Sequence, residues 1–321
     1  MIAAPETLAA EPKSIEPVNP DVDENLYLIG RPTLRGYIHF VRGHAVNPPE
    51  KAAIIEDWHA ANGCIRTLEK EQAGYADDPP LTKVEVNAKY EPFLVEFLKD
   101  PLVRYNFNTV PTEVAWVELD RLVVYQKHID LTFVRQLKKK LGPAPSDEDI
   151  FRTCLSYEHK HPPVKWSRMG GDRFVFMSPS NDLRFLGTMQ LKPKHIKDYP
   201  PPGSLVGVIG IAVGFGSNFL NVVYAEKRLV LNNGSHRAYA LREMGFTHVP
   251  CIVQHVSSRD ELALVGSSEL RRHPDRYLKH PRPSMLKDYF DPKLHRVFPV
   301  HRRTKQITVG FDVDETYVPA F

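Results

Sequence analysis

The apolar positions of this chain follow a helical period near its start and a shorter, strand-like one from its middle onward. In "EKAAIIEDWHAANGCIRTLEKEQAG", Ala53, Ile54, Trp58, Ala61, Ile65 and Leu68 recur near helical spacing, and Gly74 closes the pattern. A second helix, "KYEPFLVEFLKDP", is predicted to end just before Pro101, because the residue preceding a proline is pushed out of the helical region. Val117 to Tyr125 is rich in β-formers and predicts a strand. Asp130 then caps a helix over Leu131 to Leu141 that stops at Gly142-Pro143. Beyond it the pattern is mixed. A short helix opens at "SDED", a polar loop runs through "SYEHKHPPVKWSRMGGD", a strand lies near Arg173–Met177, and "KDYPPPG" leads out.

Leu205 to Tyr224 holds no charged residue, and its length matches the roughly twenty residues that span a bilayer. Four glycines (Gly207, Gly210, Gly214 and Gly216) with Ser217, Asn218 and Asn221 interrupt it, so two buried strands joined by a "GFGSN" turn are the expectation and a membrane helix the alternative. Next come a hairpin, Phe219–Tyr224 and Leu229–Leu231 about a polar turn, and then "NNGSHRAYALREMGFTHVPCIV". Here the chain turns at Asn232-Asn233-Gly234 and enters a helix at Ser235 or His236. Ala238, Leu241 and Met244 share one face, and Gly245 ends the helix where a left-handed residue is wanted. The C-terminus, "ITVGFDVDETYVPAF", predicts a strand pair.

Length and composition add bounds. The 321 residues suffice for one large domain or two ordinary ones, and 42% hydrophobic with 25% charged residues is ordinary for a globular chain. The net charge of +3 favours no class of partner by itself. Cys64, Cys154 and Cys251 lie far apart with no C-x-x-C spacing, which argues against a disulfide framework or a cysteine zinc site and points to a cytoplasmic setting. The N-terminus lacks the basic start and apolar core of a signal peptide; residues 1–24 read as a disordered acidic tail.

The candidate chemistry sits at the helix mouth. Unpaired N–H groups and the positive end of the helix dipole favour an anion there, and Gly234 lets the backbone approach closely. Ser235 and His236 can each donate one hydrogen bond to phosphate, and Arg237 two in parallel. The competing reading is a plain cap by Asn233 or Ser235. Arg237 in the first turn opposes the dipole, which counts for an anion. "EHKH" (Glu158, His159, His161) and the pair Glu56 and His59 carry metal-ligand side chains, but each is read as solvated surface and no metal site is assigned. "SPSNDLRFLG" places Ser180, Asn181, Asp182 and Arg184 in a turn that either covers the pocket as a lid or caps a short helix. Between Arg271 and Lys305 stand eleven Lys or Arg, four histidines and only Asp275, Asp288 and Asp291 as acids, a stretch that either attracts nucleic acid or forms a solvated face.

The box "NNGSHRA" (Asn233, Gly234, Ser235, His236, Arg237, Ala238) and the tail "EMGFTHVPCIV" (Gly245, Val249, Pro250, Ile252) resemble the ParB/sulfiredoxin superfamily. "VELDRLVVYQKHIDLTFVRQLKKKLGP" looks like that family's opening strand and first helix, so the likeness covers roughly Val114 to Gln254. It implies an α+β architecture: a ParB/sulfiredoxin-like mixed sheet with helices over 111–143 and 203–256, an N-terminal helical region over 25–110, an inserted subdomain over 144–202 and a basic C-terminal extension over 257–321. It also implies a nucleotide (phosphate)-binding protein, with Asn233, Gly234, Ser235, His236 and Arg237 as the phosphate cradle, ATP or CTP as ligand and Mg²⁺ as its companion. The reaction would be phosphotransfer or nucleotide hydrolysis. The alternatives are a DNA-binding, partition-like regulator using Arg271–Lys305, or a non-catalytic interaction module. Ser235 stands where sulfiredoxins carry a nucleophilic cysteine, and Asn233 where free serine kinases of the superfamily carry an acid; Glu118, Asp120 or Glu226 would have to supply any carboxylate. No catalytic residue is named, and no membrane partner is expected.

Overall fold

The computed structural model describes residues 21–84, 89–155, 161–180, 182–196, 203–216 and 218–319. It begins with strand β1 (Val22–Leu28), whose first residues fall in the stretch assigned to the acidic tail. Helix α1 (Leu34–His44) is capped by the Thr33 hydroxyl, which accepts from the Gly36 N–H. It buries Tyr37, Phe40 and Val41 against α2 (Lys51–Glu71), whose inward face is Ile54, Ala61 and Ile65, as the helical period predicts. Phe40 also stacks on Tyr27 of β1, with ring centroids 4.1 Å apart.

A short strand β2 (Leu81–Lys83) precedes α3 (Glu91–Lys99), which ends before Pro101 as expected. A further helix, α4 (Pro101–Asn106), starts at that proline, with the Asp100 side chain as its cap. Strand β3 (Thr112–Glu118) lies upstream of the predicted Val117–Tyr125. A 3-10 turn at Leu119–Arg121 breaks the run, and Val123 makes only isolated bridges to Val230 and Met285. Strand β4 (His128–Asp130) then leads into α5 (Leu131–Leu141), with Asp130 Oδ1 accepting from the Phe133 N–H and Gly142 closing it at φ +73°. The next helix, α6 (Asp147–Cys154), opens with a reciprocal Ser146–Asp149 capping box.

Strands β5 (Lys165–Met169) and β6 (Arg173–Ser178) form a hairpin, and β7 (Leu183–Leu191) pairs antiparallel with β8 (Val208–Phe215). The uncharged run Leu205–Tyr224 therefore divides between two sheets. β8 is a partly exposed strand of the two-stranded sheet, and only its sequel β9 (Asn221–Ala225) is buried in the central one. No helix among the described residues is long and apolar enough to cross a membrane.

β9 turns through Glu226 and Lys227, both at positive φ, into β10 (Arg228–Asn233). Helix α7 (Ser235–Glu243) and strand β11 (His248–Val256) complete the unit. The central mixed sheet has the order β10-β9-β11-β3-β2, with β9 and β11 parallel and the other neighbours antiparallel. Val222, Leu231, Leu241, Val249 and Ile252 join Phe97, Phe151 and Phe219 in the main core. The fold is thus α+β.

The last third is woven into the molecule. Helices α8 (Arg259–Val265), α9 (Ser268–Arg272) and α10 (Pro274–Leu278) pack beside β9 and β10 through Leu262, Leu270 and Tyr277. Strand β12 (His295–His301) pairs with the whole of β1, and β4 completes that three-stranded sheet on the other side of β1. Strand β13 (Lys305–Gly310) pairs with β6. Neither the "insertion" nor the "extension" stands alone. An isolated hairpin is marginal in water, and β13 supplies the third strand that β5–β6 lacks. The predicted C-terminal strand pair is likewise corrected: β13 pairs with β6, and 311–319 forms no strand.

Candidate functional site

The box lies where β10 hands over to α7. Gly234 occupies the N-cap position at φ +98°, ψ 21°, a conformation open to glycine and costly for other residues. A Cβ there would lie 2.8 Å from Leu220 Cδ1 and 3.3 Å from both Leu220 Cα and Arg237 Nη2, so space as well as φ selects glycine. No side chain among the described residues caps α7. The two side chains proposed as caps are occupied or idle: the Asn233 amide donates to Phe219 O at 3.1 Å, and the Ser235 hydroxyl makes no hydrogen bond among the described residues. Asn232 is tied down on three sides. Its carbonyl accepts from Tyr125 Oη at 2.6 Å, its amide donates to Val265 O, and its Oδ1 accepts from the Ser267 N–H.

Arg237 does not face the helix mouth as a phosphate ligand. It is 7% exposed, and its Nη1 donates to the carbonyls of Thr153 (3.1 Å), Cys154 (3.2 Å) and Asn218 (2.7 Å), while Nη2 donates to Asn218 Oδ1 at 3.0 Å. Two of those carbonyls belong to the last turn of α6, where the helix leaves acceptors unpaired. The guanidinium thus joins the α6 terminus to the strand entering β9. Burial lowers its pKa, and its hydrogen-bond partners are all neutral oxygens. The expectation of parallel bonds to phosphate is corrected: those donors are spent inside the chain.

His236 takes a different course. Its Nε2 is buried and has no hydrogen-bond partner, and the ring meets Phe133 edge-on at 5.6 Å. Burial pushes its pKa down to about 4, with Asp182 opposing and Arg237 reinforcing the shift. The ring is therefore neutral at pH 7 and carries one N–H. His128 on β4 lies within electrostatic reach of it and is also held at about 4, first by burial, then by His236 and Arg303. Asp182 and Arg184 come from the start of β7, beside the junction: the Gly216 N–H donates to Asp182 O, and the Arg184 guanidinium packs over Gly216. Arg184 is half exposed and its charge is felt at Tyr125, the residue that holds Asn232. "SPSNDLRFLG" opens β7 and caps no helix: Ser180 accepts from the Asp182 N–H, and Asn181 lies outside the described residues.

The other candidates disperse. Glu56 and His59 are exposed on α2, Glu158 and His159 lie outside the described residues, and His161 stacks on Phe215 at 4.5 Å. No group of three His, Cys, Asp or Glu able to hold a metal occurs among the described residues. Of the carboxylates near the box, Asp120 grips Arg242 through two bonds (2.7 and 3.0 Å), and Glu226 pairs with Arg259 at 2.6 Å. The basic stretch is partly neutralised from within: five of its eleven cations, Arg276, Lys279, Arg282, Arg296 and Arg302, pair with carboxylates among the described residues. Two open clefts, about 350 and 380 Å³, lie beside α8–α10 and at the C-terminal end of α5; neither touches the box. The half-buried helix mouth has an orphaned nitrogen and N–H groups without a side-chain cap, which the two clefts lack, and it is therefore the candidate site.

Arg184, named in the sequence as part of a lid, packs against Gly216 and pairs with Asp182; the β7–β8 pairing that brings it there is invisible to local pattern. Compared with known protein families, with curated proteins and with solved structures, the chain shows no match.

Proposed function

We propose that this protein binds a phosphate-bearing ligand, a nucleotide, at the N-terminus of α7, in the manner of the ParB/sulfiredoxin superfamily that its box and tail resemble. The observation that carries the reading is the partnerless Nε2 of His236 at an uncapped helix start behind a left-handed Gly234. A buried polar atom without a partner is uncommon and costs about 1–3 kcal/mol, which an incoming acceptor would recover. The first-turn N–H groups and the idle Ser235 hydroxyl complete a set of donors for an anion, and the dipole adds roughly 0.3–2 kcal/mol. Arg184, which packs over Gly216 and pairs loosely with Asp182 at 3.5 Å, is offered as the cation of the site, since Arg237 is engaged within the fold. Asn233 and Arg237 shape the cradle; Gly234, Ser235 and His236 line it. A phosphotransferase or hydrolase would in addition need Mg²⁺ and a base; Asp120 and Glu226 are already paired with arginines. Ligand binding is therefore the reading advanced, with catalysis beyond it.

The test is calorimetric titration of ATP, CTP and GTP, with Mg²⁺, into the wild type and into His236→Ala, Ser235→Ala and Arg184→Ala. Loss of one charge-assisted bond weakens binding by about 10- to 100-fold. Absence of measurable binding for all three nucleotides would refute the proposal, as would affinity untouched by all three substitutions.

A further inference from the structure

Strand β5 is the edge of its sheet, in the order β13-β6-β5, and all five of its residues are exposed, Trp166 at 66% and Met169 at 52%. An open edge with large apolar side chains invites another strand. The molecule also holds an unpaired segment of strand-like pattern: Phe311, Val313, Tyr317 and Val318 are exposed, and Asp312, Asp314 and Glu315 stand between them. This is the half of the predicted C-terminal strand pair that has no strand partner among the described residues.

We infer that two copies of this chain associate by exchanging residues 311–319, each adding this segment as a strand to the β5 edge of the other. The charges match in one antiparallel register. With Phe311 opposite Met169, Asp312 falls opposite Arg168 and Glu315 opposite Lys165, so an apolar pair and two opposite-charge pairs meet across the strands.

The direction of the chain selects a second copy over folding back. β5 and β13 both pair antiparallel with β6, and both run toward the 170–172 turn; the Phe311 N–H still contacts Asp172 O there. Within one copy the segment leaves parallel to β5 and past its end, so an antiparallel approach would require reversal across the sheet. A two-fold axis perpendicular to the sheet at that turn reverses the direction and brings each β13 into line with the other copy's β5. A sideways step of one strand spacing, about 4.8 Å, then docks the segment. Nine residues reach about 30 Å when extended, more than β5 requires. Such an interface is isologous, as closed dimers are.

Sedimentation velocity and light scattering on the full chain test this. The expected mass is that of a dimer, falling by half when the chain ends at Gly310. Two charge variants guard against a truncation that fails to fold: Asp312→Lys with Glu315→Lys, and Lys165→Glu with Arg168→Glu. Each is expected to be monomeric, and the chain carrying all four changes is expected to regain the dimer. A full chain that stays monomeric across concentration overturns the inference. So does a dimer that survives both truncation and charge reversal, or failure of the four-fold variant to recover association.

Discussion

Replacing Arg237 by alanine separates the two roles open to this residue. The side chain supplies hydrogen bonds to four oxygens, three of them backbone carbonyls at the α6–β9 junction. Cys154 O keeps the Leu220 N–H, so the carbonyls of Thr153 and Asn218 are the ones left bare, each at about 1–3 kcal/mol, less where water enters. Removing the buried charge offsets part of this, because a guanidinium bonded only to neutral oxygens bears a desolvation cost of its own. Truncation also leaves a cavity against Gly234 and Leu220. The bare carbonyls and the cavity outweigh the relieved charge, and the expected net loss is about 3 kcal/mol. For 321 residues that corresponds to a melting midpoint lower by roughly 4–5 °C. Arg237→Lys is expected to recover only part, since one ammonium cannot span the same oxygens. Urea unfolding, read as a change in midpoint at constant slope, measures the effect. If Arg237→Ala unfolds within about 1 kcal/mol of the wild type, the clamp reading fails. If it does so while phosphate binding disappears, Arg237 is a ligand contact after all.

Two further outcomes follow from buried titratable groups. His236 and His128 have folded pKa values of about 4, below the ordinary 6.5. Between those values the unfolded chain binds more protons, so stability is full above about pH 6.5 and falls as pH drops toward 4, by at most about 3 kcal/mol for each ring. Urea midpoints taken at about pH 7 and pH 5 check this: His128→Gln should flatten the dependence, and an unchanged slope would contradict the burial assigned to His128. Arg282 and Asp288, 1% and 4% exposed, are joined by two bonds of 2.7 and 2.5 Å. Asp288→Asn is expected to cost about 3–5 kcal/mol, and pairing it with Arg282→Met to cost less than the single change; a double variant that is the worse of the two would refute this.

Much of the secondary structure was legible because it rests on local chemistry. Asp130 caps α5 and Gly142 ends it, Ser146 and Asp149 box α6, and Gly234 opens α7, each by bonds within a few residues. The helical face of α2 follows the same local rule, since one stripe of apolar residues must be buried. The position of β3 was misread. The run Val117–Tyr125 is β-rich throughout, and only its pairing with β11, which ends at Glu118, sets where the strand stops. Likewise the uncharged run at 205–224 holds two strands, but nothing in its pattern says that β8 goes to β7 and β9 to the central sheet.

The order of residues alone determined that a glycine, a hydroxyl, an imidazole and a guanidinium stand together at a helix start, because adjacency in sequence is adjacency on the helix. Only the tertiary structure decided which of them turn outward. Arg237 and His236 are consecutive, so a helix points them about 100° apart. One direction meets carbonyls of Thr153 and Cys154 at the end of α6, more than eighty residues away, and of Asn218, across the β9–β10 hairpin. The other meets Phe133 and leaves a nitrogen without a partner. The same applies to charge: the basic run at 271–305 is a fact of sequence, and the pairing of Arg276, Arg296 and Arg302 with Glu269, Asp57 and Asp23 depends on where the fold brings those carboxylates.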